Sequence, residues 1–106
     1  MTLSKHNPLS LKSWKSLLAK HKKDSGKKIS DYFDEDPNRV NELALSWESF
    51  YVDYSKNLLD KETIDLLISM AHEAGLEKAI KSYFEGENIN ETENRAVLHT
   101  ALRQLS

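Results

Sequence analysis

The chain lacks cysteine, which excludes disulfide bonds, cysteine metal ligands and a cysteine nucleophile. It has only three glycines, Gly26, Gly75 and Gly86, and they stand far apart along its 106 residues. A loop that binds a phosphate or a dinucleotide needs several glycines close together, so nucleotide-binding folds are disfavoured. No apolar run reaches the length of a signal peptide or a membrane helix. We therefore expect a chain that is neither exported nor embedded in a membrane. The lack of cysteine also suits a reducing cytoplasm.

Charge is nearly balanced over the whole chain but uneven along it. Seventeen acidic and fifteen basic residues leave a formal net charge of −2, which gives no global reason to expect nucleic acid or a membrane as a partner. Residues 12–28 carry seven lysines against one aspartate, and an acidic patch follows at residues 31–36. The arginine and aromatic contacts of a nucleic-acid surface are missing there, so we predict a solvated lysine-rich helix end.

The spacing of apolar residues predicts a mainly α fold with a short β-hairpin. Ser10, Asp36 and Asp60 precede periodic segments as N-caps, while Gly75 and Gly86 follow them as ends. The predicted helices lie at about residues 10–24, 28–34, 37–43, 60–74, 76–85 and 91–105. Between about residues 43 and 55 the period changes to two, which predicts the hairpin, although its Glu48-Ser49 turn lacks the preferred Asn-Gly chemistry.

Polar clusters give no residue that we can assign to catalysis, to substrate binding or to a metal. The four histidines, at positions 6, 21, 72 and 99, share no metal-ligand spacing. Adjacent carboxylates at residues 34–36 point apart on a loop and are more typical of a solvated, capping surface. The cluster from Tyr54 to Asn57 is interpreted first as turn chemistry and second as a ligand contact. No cofactor is expected.

Arg95, His99 and Arg103 are four residues apart, which would place them on one stripe of the predicted helix 91–105. The opposite face would bury the apolar residues Val97, Leu98, Ala101, Leu102 and Leu105. From the residues alone, the stripe is either a solvated helix face or an anion site.

Three motifs then point to a family. The stretches VDYSKN at residues 52–57, FEGENIN at residues 84–90 and TENRAVLHTALR at residues 92–103 resemble successive signatures of the amino-terminal part of glucose-6-phosphate isomerase, the phosphoglucose isomerase family. They stand in the family's order and at its separations. The resemblance covers the chain from about Val40 onward and, more loosely, the lysine-rich start.

The resemblance implies an enzyme several times longer than this chain. Family members are homodimers with two parallel-sheet α/β sandwich domains of the SIS type, and they interconvert glucose 6-phosphate and fructose 6-phosphate in glycolysis and gluconeogenesis. The family's catalytic groups and sugar-phosphate loop lie in later segments, so none is carried onto a residue here. We therefore expect residues 1–106 to form a single amino-terminal segment that is inactive alone and that continues in the natural protein.

Two further expectations follow from this interpretation. The stripe of Arg95, His99 and Arg103 would be a docking surface for the absent domain. The surfaces of Trp14, Trp47, Phe50 and Leu105 would be partly uncovered. The alternative is a stand-alone helical protein-interaction module.

Overall fold

The computed structural model describes residues 3, 5–90, 93–99 and 101–103. It is mainly helical with one two-stranded antiparallel hairpin, which confirms the predicted fold class for this chain. The regular elements are α1 (Lys12–Asp24), α2 (Ile29–Glu35), α3 (Arg39–Glu42), β1 (Ala44–Trp47), β2 (Phe50–Asp53), α4 (Lys61–Glu73) and α5 (Leu76–Phe84), with short 3-10 turns at Pro8–Ser10 and Ala101–Arg103. The bounds of α1 to α5 agree with the predicted helices to within two residues.

Helices α1 and α4 pack side by side and antiparallel. The start of α1 contacts the end of α4, and the end of α1 contacts the start of α4. Near the start of α1, the backbone N–H and the Oγ of Ser13 donate to Oε2 of Glu73 at 3.1 and 2.6 Å. Near its end, Nζ of Lys20 lies 2.7 Å from Oδ2 of Asp60. The predicted Ser10 cap is wrong: Ser10 belongs to the preceding 3-10 turn, and Glu73 supplies an acceptor to the first turn of α1 instead.

The boundaries of α4 and α5 follow the predicted capping chemistry. Oδ1 of Asp60 accepts a hydrogen bond from the backbone N–H of Thr63 at 2.9 Å, as an N-cap carboxylate does. Gly75 separates α4 from α5 with a φ of 76°, in the left-handed region where glycine carries no Cβ penalty. The predicted Asp36 cap is displaced, since Asp36 ends α2 and Asn38 stands at the start of α3.

The hairpin is present where the alternating pattern predicts it. Leu45 pairs with Val52 and Trp47 pairs with Phe50, and the Trp47 and Phe50 rings stack with centroids 5.8 Å apart. The turn is made without glycine, because Glu48 itself adopts a φ of 52°.

The predicted helix 91–105 is wrong for the residues that the structure describes. Asn90 and Arg95 instead form an antiparallel bridge, with N–O distances of 3.1 and 3.2 Å, around a turn in which Asn94 has a φ of 52°. A helix of this length is marginal in water unless its apolar stripe packs against another element, and Leu98 is 55% exposed. The turn at Asn94 is therefore favoured over the helix. Leu105 and the side chain of Leu102 lie outside the described residues.

The chain is open compared with a closed domain of its size. Its radius of gyration is 17.9 Å, where a compact domain of this length has about 13 Å. Its accessible surface is 8485 Å², where a compact monomer of 12.2 kDa exposes about 6,100 Å². Trp47 and Phe50 are 63% and 62% exposed, which confirms that these two surfaces are uncovered, and Trp14 is half-buried.

Candidate functional site

The VDYSKN motif, residues 52–57, comprises the last two residues of β2 and the turn that follows it. We call this segment the signature turn, and a buried arginine holds it. The side chain of Arg39 is only 3% exposed. Its Nε donates to the carbonyl oxygen of Ser55 and its Nη2 to that of Asn57, both at 2.7 Å. The guanidinium also lies 4.8 Å from the ring centroid of Tyr32. The N–H groups of Arg39 are therefore bonded within the chain, and its planar guanidinium lies against an aromatic ring. A buried arginine needs such partners because its charge has been removed from water.

Two polar side chains of the signature turn, those of Asp53 and Ser55, are bonded to each other. Oδ1 of Asp53 accepts from the Oγ of Ser55 at 2.6 Å and from its backbone N–H at 2.9 Å. These two bonds hold the pKa of Asp53 below its ordinary value. Ser55 itself is 1% exposed. The turn chemistry predicted for Tyr54 to Asn57 is confirmed.

A second buried cation lies between α1 and α4. Nζ of Lys20 is 2.5 Å from Oδ2 of Asp24, 2.7 Å from that of Asp60 and 3.8 Å from Oε2 of Glu62. Burial lowers the pKa of Lys20, but the bonds to Asp24 and Asp60 outweigh it and raise that pKa above its ordinary value. Burial likewise raises the pKa of Asp60, yet the bonds from Lys20 and Thr63 hold it at about 2. Two members of this cluster, Lys20 and Asp24, line a cleft of about 300 Å³.

The solvated-lysine interpretation is therefore correct only in part. Five of the seven lysines are exposed, at positions 12, 15, 22, 23 and 28. Lys20 is 6% exposed, and Lys27 pairs with Glu35 and lies 4.2 Å from the ring centroid of Tyr32. The i, i+4 spacing of Lys20 and Asp24 is the one signal in the sequence that could have singled out Lys20. Because three carboxylates surround it, Lys20 is not placed to hold a phosphate.

The acidic residues 34–36 do not form a catalytic pair. Asp36 accepts a hydrogen bond from the backbone N–H of Asn38 at 3.0 Å, which is capping chemistry. Glu35 points to Lys27 instead of toward another carboxylate.

The predicted stripe of Arg95, His99 and Arg103 does not form, because the described residues 93–99 and 101–103 do not make the α-helix that would align them. Nε of Arg95 lies 2.8 Å from Oε2 of Glu93 in a pair that is 73% and 54% exposed. Arg95 and His99 line a shallow depression of about 450 Å³ together with the apolar residues 96–98. Arg103 is exposed in the following 3-10 turn.

The sequence does not predict one buried carboxylate oxygen. Oε2 of Glu87 is buried, and no donor reaches it within the part of the chain that the structure describes. Glu87 belongs to the FEGENIN motif, but nothing in its spacing predicts a buried carboxylate. A buried acceptor of this kind normally has a partner.

The described residues contain neither a metal-ligand cluster nor a membrane-spanning helix. No group of three or more histidine, aspartate or glutamate side chains there is arranged to hold a metal ion. No helix within the same residues is long and apolar enough to cross a membrane.

The geometry defines an open helical segment in which Lys20 and Arg39, the buried cations among the described residues, are bonded within the chain. The comparisons place that segment in a family. Residues 53–106 match the family model for phosphoglucose isomerase, and the chain belongs to that family. The match begins inside the signature turn and includes the other two motifs, so the resemblance based on them is confirmed.

The chain is similar to the amino-terminal part of curated proteins named glucose-6-phosphate isomerase. It is 48% identical over 97 residues to the one from Christiangramia forsetii and 46% identical over 94 residues to the one from Stutzerimonas stutzeri. It is 50% identical over 99 residues to the one from Wigglesworthia glossinidia brevipalpis. These alignments cover 92%, 89% and 92% of this chain but only 18%, 17% and 18% of the relatives. The chain thus spans less than a fifth of their length.

Proposed function

We propose that this chain is the amino-terminal segment of a glucose-6-phosphate isomerase, an enzyme that interconverts glucose 6-phosphate and fructose 6-phosphate. The observation that carries this proposal is the family match over residues 53–106. The whole enzyme would act in glycolysis and gluconeogenesis in the cytoplasm, without a cofactor. It would be a homodimer with two parallel-sheet sandwich domains, and its partner would be a sugar phosphate, not nucleic acid or a membrane.

We further propose that the 106-residue chain is inactive alone. Moving a proton between C1 and C2 of a sugar phosphate requires a base, a group that opens the ring and an anchor for the phosphate. The two buried cations of the described residues, Lys20 and Arg39, are already bonded to carboxylates and carbonyl oxygens. The remaining four-fifths of the enzyme would therefore supply the catalytic groups.

The alternative, a stand-alone interaction module, is less well supported. A module that folds alone should close its own core, whereas Tyr32 and Leu43 are the buried apolar residues among those described. The radius of gyration of 17.9 Å also favours a segment that packs onto a larger body.

A chimera tests the proposal. The 106-residue chain would replace the matching segment of the Christiangramia forsetii relative, and conversion of fructose 6-phosphate to glucose 6-phosphate would be measured. We expect an active chimera and no activity from the chain alone. A chimera that folds without activity would contradict the assignment to this enzyme, and activity of the purified chain above host background would contradict its inactivity.

A further inference from the structure

One face of the hairpin is entirely apolar and uncovered. Residues directly opposite in an antiparallel pair lie on the same face, as do residues two apart along a strand. The register therefore gathers Leu45, Val52, Trp47 and Phe50 on one face, which we call the hairpin apolar face. Their exposed fractions are 52%, 48%, 63% and 62%. Tyr51, on the opposite face, is 64% exposed and its neighbours there include a serine and an aspartate.

The hairpin apolar face is held by a fixed base. The backbone N–H of Tyr54 donates to the carbonyl oxygen of Leu43 at 2.9 Å, and Leu43 is 4% exposed. Arg39 joins the residues just beyond that base to the helix preceding β1. A face presented in this way loses little conformational freedom when a partner covers it.

An isolated two-stranded hairpin with such a face is marginal in water. The two aromatic side chains alone, at about 150 to 250 Å² each when fully buried, account for a large part of the apolar area. A covering partner would remove this area from water, which is favourable in proportion to its size.

We propose that the hairpin apolar face docks on an uncharged, apolar surface of the remaining polypeptide of the longer isomerase. This inference rests on the proposed function. The matched segment is only 18% of the relatives' length, so most of such an enzyme lies outside this chain. None of the four side chains of the face is charged, so the surface that covers it needs no charged group to pair with them.

A second copy of the chain fits the observations less well. Contact between two hairpin faces would bury roughly 600 to 1,000 Å² from the four aromatic rings, which is at the lower limit of a stable interface and covers the hairpin alone. The chain exposes about 2,400 Å² more than a compact monomer of its mass. Exposed apolar side chains also continue onto α4 and α5, at Leu67, Ile68, Leu76, Ile80 and Phe84. An occupant that covers several elements is larger than one hairpin.

Cysteine labelling tests which face is covered, since the chain has no cysteine of its own. Phe50→Cys and Tyr51→Cys form a matched pair, on opposite faces of one strand with exposures of 62% and 64%. In the 106-residue chain both thiols should react with iodoacetamide at similar rates. In the chimera described above, we expect Phe50→Cys to react at least about tenfold more slowly and Tyr51→Cys to keep its rate, because thiol reactivity requires access. Peptide mass spectrometry separates these sites from cysteines of the relative.

Each result has a distinct meaning. An active chimera in which both thiols keep the rates of the 106-residue chain would overturn the docking and leave the proposed function intact. Equal slowing of both thiols would overturn the assignment to one face. If Phe50→Cys is protected in the 106-residue chain in proportion to concentration, a second copy is the occupant and the proposal is wrong.

A measurement on the 106-residue chain keeps the inference testable if the chimera fails to fold. The double substitution Trp47→Ser with Phe50→Ser should reduce the binding of a dye for exposed apolar surface. It should shift the thermal midpoint by less than about 2 °C, because these side chains cover no core of their own. Loss of the helical signal in this variant would show that the face supports the fold internally and would overturn the proposal.

Discussion

Nε of Arg39 donates a hydrogen bond to the carbonyl oxygen of Ser55 at 2.7 Å, and this bond joins the helix before the hairpin to the turn after it. The two residues are sixteen apart in the chain. The same guanidinium also donates to the carbonyl oxygen of Asn57, so one side chain bridges two points of the signature turn. The family motif in this chain is thus a structural element around the base of the hairpin.

Arg39→Ala should therefore be strongly destabilising. The substitution leaves the Ser55 carbonyl oxygen without its donor, removes one of the two donors to that of Asn57 and removes the contact with the Tyr32 ring. We therefore expect the free energy of unfolding to fall by about 2 to 4 kcal/mol. Urea unfolding followed by circular dichroism measures this loss. Arg95→Ala is the matched control: its exposed pair with Glu93 should contribute less than about 0.5 kcal/mol. Equal losses in the two variants would contradict the role of Arg39.

Ser13→Ala tests the contact between α1 and the end of α4. The Ser13 hydroxyl is buried and donates to Glu73, so its removal should cost about 1 kcal/mol. Ser16→Ala, on the same helix, removes only a 3.4 Å bond to the backbone of Lys12. Both substitutions remove one serine hydroxyl from α1, so the difference between their urea midpoints reports the contact with Glu73. No difference would mean that this contact does not stabilise the helix pair.

Acid should weaken the pairing of Lys20 with Asp60. The folded-state pKa of Asp60, about 2, lies below the ordinary value of 3.8, so its contribution to stability is present above pH 3.8 and is lost as the pH falls toward 2. Asp60→Asn retains a side chain that caps helices well and removes the charge. We expect it to lower the free energy of unfolding at pH 7 by about 1 to 2 kcal/mol. The loss is no larger because partial solvent exposure screens the pair.

The pH profile separates this effect from a general loss of charge. Stability of Asp60→Asn, measured by urea unfolding between pH 7 and pH 2, should fall less steeply below pH 4 than that of the unsubstituted chain. Asp65→Asn, at an exposed position of α4, should retain the steep fall. Parallel acid profiles for Asp60→Asn and the unsubstituted chain would rule out the linkage.

Glu48→Gly should stabilise the hairpin. Glu48 has a φ of 52°, which glycine adopts without the Cβ penalty, so we expect a gain of about 0.5 to 1 kcal/mol. Near-ultraviolet circular dichroism of the stacked Trp47 and Phe50 rings should report it as a rise in the melting midpoint. Ser49→Gly, next to it but outside the positive-φ region, should lower the same midpoint. A fall in both variants would show that Glu48 is not strained.

Most of the local structure could be predicted from the residues. The 3.6-residue period together with Asp60 and Gly75 predicted α4 and α5, and the alternation around Trp47 and Phe50 predicted the hairpin. These signals are local, because helix periodicity and capping involve residues within a few positions of one another. The helix predicted at residues 91–105 was wrong because its apolar period was not matched by burial: Leu98 remains 55% exposed, and the turn at Asn94 formed instead.

The sequence alone determined the family, through three short motifs in a fixed order, and it determined the order of the helices and the hairpin. The tertiary structure decided which polar residues are buried. Glu73 reaches Ser13 across 60 residues, Asp60 reaches Lys20 across 40 and Arg39 reaches Ser55 across 16. No periodic pattern records such partners, because they meet only when separate helices pack and exclude water. The burial of Lys20 and Arg39 therefore became visible only in the folded chain, where carboxylates and carbonyl oxygens compensate for the lost water.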